Sequence, residues 1–233
     1  MTFLFGTVIS FLLFFNLSGI SAQQSNIKVA DVYGLDQSLY NGRHYTFFPP
    51  LNTGGNQYFS GVRFETGSAT IRGVTYSELT FNYDIYNQQL IMEYKNNMGA
   101  ASLIIISDAW LESFSFKGLN FEIISSQDTL KRIYQVFGER PNRIFYFWKK
   151  ILNLENFQGS KNHNFSSARK EMNVYTGNQI LRYRNNKTYY SLFGSDKRIA
   201  IKDYLHKNHI NVKKASDQKM TELILFCNTL YTM

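Results

Sequence analysis

Through the middle of the chain, apolar and polar side chains alternate with a period of two, and short turn signals break the pattern into strand-length runs. "SATIRG" and "VTYSELTFNYDIY" read as two strands parted at Gly73, and "QLIMEYK" follows a turn at Asn87-Gln88. Beyond "NNMG" comes "ASLIIIS", whose run from Leu103 to Ile106 is apolar enough for a strand buried on both faces. "ESFSFKGLNFEII" turns at Lys117-Gly118, and "IYQVFGERPNRIFYFWKKIL" reads as two strands around a turn from Glu139 to Asn142. These runs predict a β-meander over about 40–152. Residues Asn153 to Lys170, "NLENFQGSKNHNFSSARK", are polar without period and predict a long exposed loop. A last hairpin is expected over 172–193, turning at Asn185-Asn186.

The period then lengthens. Ser195 and Ser216 are placed as N-caps of helices over 195–210 and 216–231. Met220, Leu223, Ile224, Cys227, Leu230 and Tyr231 fall on one stripe of the second helix. The fold class expected is a β-rich α+β domain over 23–233. Its antiparallel meander forms a strongly curved sheet or partial barrel, with two helices at the C-terminus.

One stretch sets a question about chemistry. In "LTFNYDIYNQQLIMEY", Leu79, Phe81, Tyr83 and Ile85 share one face of an extended strand, while Glu78, Thr80, Asn82 and Asp84 share the other. Asp84 also stands three residues before the Asn87-Gln88 turn, where a carboxylate can accept backbone N–H groups. Asn82 and Asp84 are therefore read as structural residues of the hairpin rather than as catalytic ones.

The first residues change the setting. An apolar run from Phe3 to Phe15 carries no charge and gives way to small and polar residues ending in Ile20-Ser21-Ala22. That is the pattern of a secretory signal peptide, with cleavage expected after Ala22, and it is short for a bilayer span of about 20 apolar residues. The mature chain is then expected to be exported, to the periplasm, the outer membrane or the medium, and not to be transmembrane. Its single cysteine, Cys227, rules out an intramolecular disulfide and reads as a buried small hydrophobe.

Charge is uneven. From Arg140 to Lys214 there are 16 Lys and Arg against 4 Asp and Glu, while the whole chain has 25 against 17 and a net charge of +8. Scattered as these charges are, such a basic half reads first as a solvated surface; if it has a partner, export points to anionic lipid, glycolipid or polysaccharide, or to an envelope protein, and away from nucleic acid.

Candidate chemistry is sparse. His206 and His209 are close enough on a helix to share a metal, but no third ligand or H-E-x-x-H pattern accompanies them, so no metal is expected. There is no G-x-S-x-G elbow, S-x-x-K, P-loop or dinucleotide fingerprint, and hence no cofactor or catalytic residue to name. The strand aromatics, Trp148 among them, read as core rather than as sugar-stacking platforms. Two sequons, at Asn164 and Asn186, lie in segments expected to be loops or turns.

Three segments carry a resemblance: "LYNGRHY", "GSATIRGVTYSELTFNYDIYNQQLIM" and "SFSFKGLNFEII", with the tail "YRNNKTYYSL" and "YLHKNHINVKK". Together they resemble a family of exported, uncharacterised Gram-negative envelope proteins with a G-x-x-Y strand running into a Y-D-x-Y hairpin. The resemblance implies an envelope location and no assigned activity. The function expected is a non-enzymatic binding or interaction module for an apolar or anionic envelope ligand or a protein partner. The alternative is a hydrolase of envelope polymers or polysaccharide, using carboxylates on separate strands.

Overall fold

A computed structural model describes residues 26–27, 43–95, 101–125, 131–157, 160–177 and 179–231. The N-terminal apolar run, the cleavage position after Ala22 and the "NNMG" turn lie outside the described residues. In chain order the strands are β1 (Asn26–Ile27), β2 (Glu65–Ile71), β3 (Val74–Asp84), β4 (Gln89–Lys95) and β5 (Ala101–Ile105). They continue as β6 (Leu111–Phe116), β7 (Leu119–Ile124), β8 (Arg132–Phe137) and β9 (Asn142–Lys149). Then come β10 (Leu152–Phe157), β11 (Ser160–Phe165), β12 (Arg169–Thr176) and β13 (Ile180–Tyr183). Three helices follow, α1 (Asn186–Tyr190), α2 (Ser195–Lys207) and α3 (Asp217–Thr229).

One large sheet runs in the order β13-β12-β9-β8-β7-β6-β2-β3-β4-β5, all antiparallel, with β1 added in parallel to β3. Local chemistry fixes its hairpins. The β2–β3 and β6–β7 turns are each two residues, Arg72-Gly73 and Lys117-Gly118, with φ of +51° and +76°, and +53° and +72°. Two successive positive φ values are the turn whose twist suits a tight hairpin, and glycine takes the second position without a Cβ penalty. Within β3, Ser77 and Glu78 form a bulge, so that Tyr76 and Leu79 are both buried although three residues apart.

Two corrections concern the middle segments. Residues 153–170 are not a loop: β10 and β11 pair antiparallel from Leu152↔Phe165 to Phe157↔Ser160, and Arg169 and Lys170 already belong to β12. This two-stranded ribbon has no hydrophobic alternation to announce it, since Leu154 stands out in solvent. The hairpin placed over 172–193 is also different. Its strands are β12 and β13, joined around Gly177, and Asn185-Asn186 opens a helix.

The helix ends differ too. Gly194 rather than Ser195 caps α2, and that helix stops at Lys207. Ser216 does cap α3, its Oγ accepting from the Lys219 N–H.

The sheet does not form the strongly curved or partly closed barrel expected; it is open and not strongly curled. Closure would need its outer strands to pair. Instead β5 is bordered by residues 43–45, through His44↔Ile104, and β13 is four residues long and runs on into α1. The three helices cover the β8–β9–β12–β13 end of one face and bury Tyr146, Val174, Tyr183, Leu223, Ile224 and Cys227. Along the same face the sheet bends enough for β3 and β7 to touch, with the Tyr83 and Phe121 rings 5.6 Å apart and Phe114 stacked on Phe121 at 4.7 Å. Each such fully buried side chain contributes about 1.5–3 kcal/mol.

Gly67 in β2 is where this packing leaves least room. A Cβ there would lie 2.3 Å from the Ser115 carbonyl oxygen and 2.7 Å from the Phe81 ring. Gly67→Val is expected to lower stability by about 2 kcal/mol or more by overpacking, read from the urea midpoint; Gly118→Ser, in an open turn, tests that turn's need for glycine separately.

Candidate functional site

Asp84 is fully buried at the end of β3. Its Oδ1 accepts from the backbone N–H groups of Tyr86 and Asn87, both at 2.9 Å. Its Oδ2 accepts from Asn87 Nδ2 at 2.8 Å and from the Tyr45 hydroxyl at 2.7 Å. Gln57 Nε2 donates in turn to the Tyr45 oxygen at 3.1 Å. Four donors on one carboxylate supply the compensation that a buried charge needs. Burial, and then the Asp84 carboxylate beside it, raise the Tyr45 phenol well above its ordinary value, so Tyr45 stays a donor.

Beyond Phe81, β2 no longer runs beside β3. Residues 57–59 take the place through the Tyr58↔Asp84 bridge, with Phe59 N–H donating to Tyr83 O and Ile85 N–H to Gln57 O. Asn82 holds the bulged connection between the two: its Nδ2 donates to the carbonyls of Gly61 and Arg63. Both polar residues of the β3 row therefore fasten the segment before β2. Glu78, from the same row, is exposed on the bulge and does not join them.

The β3–β4 turn is seated on the far side of the sheet. Gln88 Nε2 donates to the Trp148 carbonyl at 2.8 Å, and Lys150 Nζ donates to the Asn56 carbonyl at 2.7 Å. Trp148 packs edge-on against Phe59 at 5.1 Å, and its Nε1 donates to Gln135 Oε1. Gln135 Nε2 then donates to Asp217 at the start of α3. Lys170 lies with its ammonium 4.0 Å over the Tyr146 ring, and burial lowers its pKa against an opposing pull from Asp217. Trp148 is thus a partly buried core residue.

The remaining carboxylates that are buried or half-buried among the described residues are also engaged. Glu122 holds Arg143 through both oxygens, Glu171 pairs with Lys149, Glu65 with Lys117, and Glu93 with Lys95. Cys227 is sealed under the helices beside the Tyr189 hydroxyl, and burial pushes its thiol up to about 12. His206 and His209 are exposed; His209 lies past the end of α2 with φ of +51°. Among the described residues no three His, Cys, Asp or Glu side chains come together as a metal site, and no helix is long and apolar enough to cross a membrane.

Two open grooves stand out among the described residues. One, of about 600 Å³, is lined by aromatic and apolar side chains of residues 44–62 and has Phe48 and Val62 strongly exposed on it. The other, of about 590 Å³, lies between α1 and the end of α2. This groove is hidden in the sequence because the Asn185-Asn186 pair suits a hairpin turn as well as a helix start. The signal was present in Asn185-x-x-Thr188: the Asn185 side chain accepts from Thr188 N–H, and Thr188 Oγ1 accepts from Asn185 N–H, a reciprocal cap. Nothing local could have revealed Tyr45 as a partner of Asp84, since Tyr45 stands 39 positions before it. No protein-family model, curated protein or solved structure matches the chain.

Asp84→Asn removes one of the two acceptor oxygens and sets an NH2 group against two of its four donors. It is expected to lower stability by about 1–3 kcal/mol in urea unfolding, with exposed Glu78→Gln within about 0.5 kcal/mol as control. Cys227 and the buried phenols of Tyr83, Tyr146, Tyr183 and Tyr189 all have pKa values raised by desolvation. Their contribution is complete below the unfolded values of 9.0 and 10.0 and is lost as pH rises through the folded ones. The urea midpoint should therefore fall from pH 8 to pH 10.5, and Cys227 should react with a thiol reagent at pH 8 only after unfolding.

Proposed function

We propose that the protein is a non-enzymatic binding module of a bacterial cell envelope that works through its exposed grooves. One observation carries this reading: among the described residues the buried and half-buried carboxylates and the thiol are already spent on internal contacts, while the α1–α2 groove presents lysines without an ion pair over an apolar floor. A hydrolase would need two carboxylates free to act on opposite sides of one bond. Asp84, the most buried acid among the described residues, instead has both oxygens occupied by the fold. Export is supported by the apolar run from Phe3 to Phe15, and an envelope location by the family resemblance of the β3–β4 hairpin.

A second reading, docking of an envelope protein, is favoured by Phe48 at 83% exposure and Val62 at 68% on the other groove. Native mass spectrometry of the protein released gently from its own envelope separates the two. An adduct of small-molecule mass is expected; a co-released protein would move the function to the groove that carries Phe48 and Val62. Bare chain alone, together with turnover of an envelope polysaccharide by the purified protein, would overturn the binding reading in favour of hydrolysis.

A further inference from the structure

The groove between α1 and α2 has a chemistry of its own. Its floor is Tyr190, half-buried, with Leu205 and Ile210, both buried. Its rim carries Lys187 from α1 and Lys202 from α2, both exposed, followed by His206 and His209. No carboxylate lines it, and neither lysine makes an ion pair among the described residues. The surrounding stretch from Arg184 to Lys214 holds eight Lys and Arg against two Asp, so the local field is positive well beyond the rim.

The groove is also built before any ligand arrives. Asn186 Nδ2 donates to the Ile210 carbonyl at 2.6 Å, and its Oδ1 accepts from the Val212 N–H at 2.9 Å. One side chain thus ties α1 to the segment after α2 and holds the end wall. From below, Tyr204 stacks on Phe226 of α3 at 4.1 Å, fixing the turn of α2 that carries Lys202 and Leu205. An end wall held by hydrogen bonds and a helix pinned by stacking spare a ligand the ordering cost of forming its site.

Resting on the binding reading above, we infer that this groove takes a single-chain anionic amphiphile: an acyl chain along Tyr190, Leu205 and Ile210, with its carboxylate or phosphate between Lys187 and Lys202. A volume near 590 Å³ falls within the range of about 300–1,000 Å³ that holds small organic ligands. A free inorganic anion would leave the apolar floor unused, and a neutral chain would leave the two ammonium groups unanswered. An acidic polysaccharide would set polar hydroxyls against Leu205 and Ile210.

The test is calorimetric titration of the full-length protein with dodecanoate and dodecyl phosphate, against dodecanol and inorganic phosphate as partial ligands. Both amphiphiles are expected to bind with one-to-one stoichiometry, at least tenfold more tightly than either partial ligand. The exposed pair Lys187→Glu with Lys202→Glu should weaken them at least tenfold and leave dodecanol and the melting temperature unchanged. Tyr190→Ala should weaken amphiphile and dodecanol alike. Equal affinity for inorganic phosphate, or indifference of dodecanoate binding to the lysine reversal, would overturn the inference. Sedimentation with phosphatidylglycerol vesicles but no binding of monomeric dodecanoate would also overturn it, in favour of a membrane surface. If dodecanoate fails while the protein from its own envelope still carries another adduct, the inference falls and the binding reading stands.

Discussion

The carboxylate of Asp84 is the constraint on which much of the sheet depends. It has no solvent contact, and only four donors arriving from separate parts of the chain make its burial tolerable. Two come from the backbone of its own turn, one from Asn87 and one from Tyr45. Satisfying them closes the β3–β4 hairpin, fixes residues 57–59 as the continuation of the β2 line, and orients Gln88 toward the Trp148 carbonyl. A charge that is expensive to bury without partners specifies one arrangement and penalises the slipped registers that an aromatic-rich meander could otherwise adopt.

The second half of the sheet is organised by a different rule. Its helix-side face is apolar at Ile144, Tyr146, Val174 and Tyr183, and α1, α2 and α3 supply the cover. The face opposite closes over itself. Phe145 stacks on Tyr175 at 5.6 Å, and Arg143 lies over Phe145 while held by Glu122. Basic residues of this half that meet the sheet are held there by rings and carboxylates, as Lys170 is over Tyr146 and Arg143 by Glu122. Lys187 and Lys202 instead stand exposed on α1 and α2, at the groove between them.

Strand existence was legible where a period-two run ended in a turn signal. The β2–β3 and β6–β7 hairpins carry both signals, period-two alternation and an X-Gly turn, and the structure forms them at those positions. The β10–β11 ribbon was not legible because its outward side chains, such as Leu154, owe nothing to burial. The Asn185-Asn186 pair failed for a sharper reason. Asn suits both a two-residue turn and an N-cap, and what decides between them is Thr188 returning a bond to the cap and Ile210 accepting from Asn186.

By itself the sequence determined the class of the fold, the turns at Gly73 and Lys117-Gly118, the buried stripe of α3 from Met220 to Cys227, though not its expected extension to the exposed Tyr231, and the separation of charge along the chain. Each of these is a property of neighbours within a few residues, where periodicity and backbone propensity act directly. Tertiary structure alone decided that the sheet stays open, that Asp84 finds Tyr45, and that Lys187 and Lys202 line one groove. Those outcomes join positions between 15 and 39 apart or farther, and they follow from which buried groups must be satisfied and which faces must be covered.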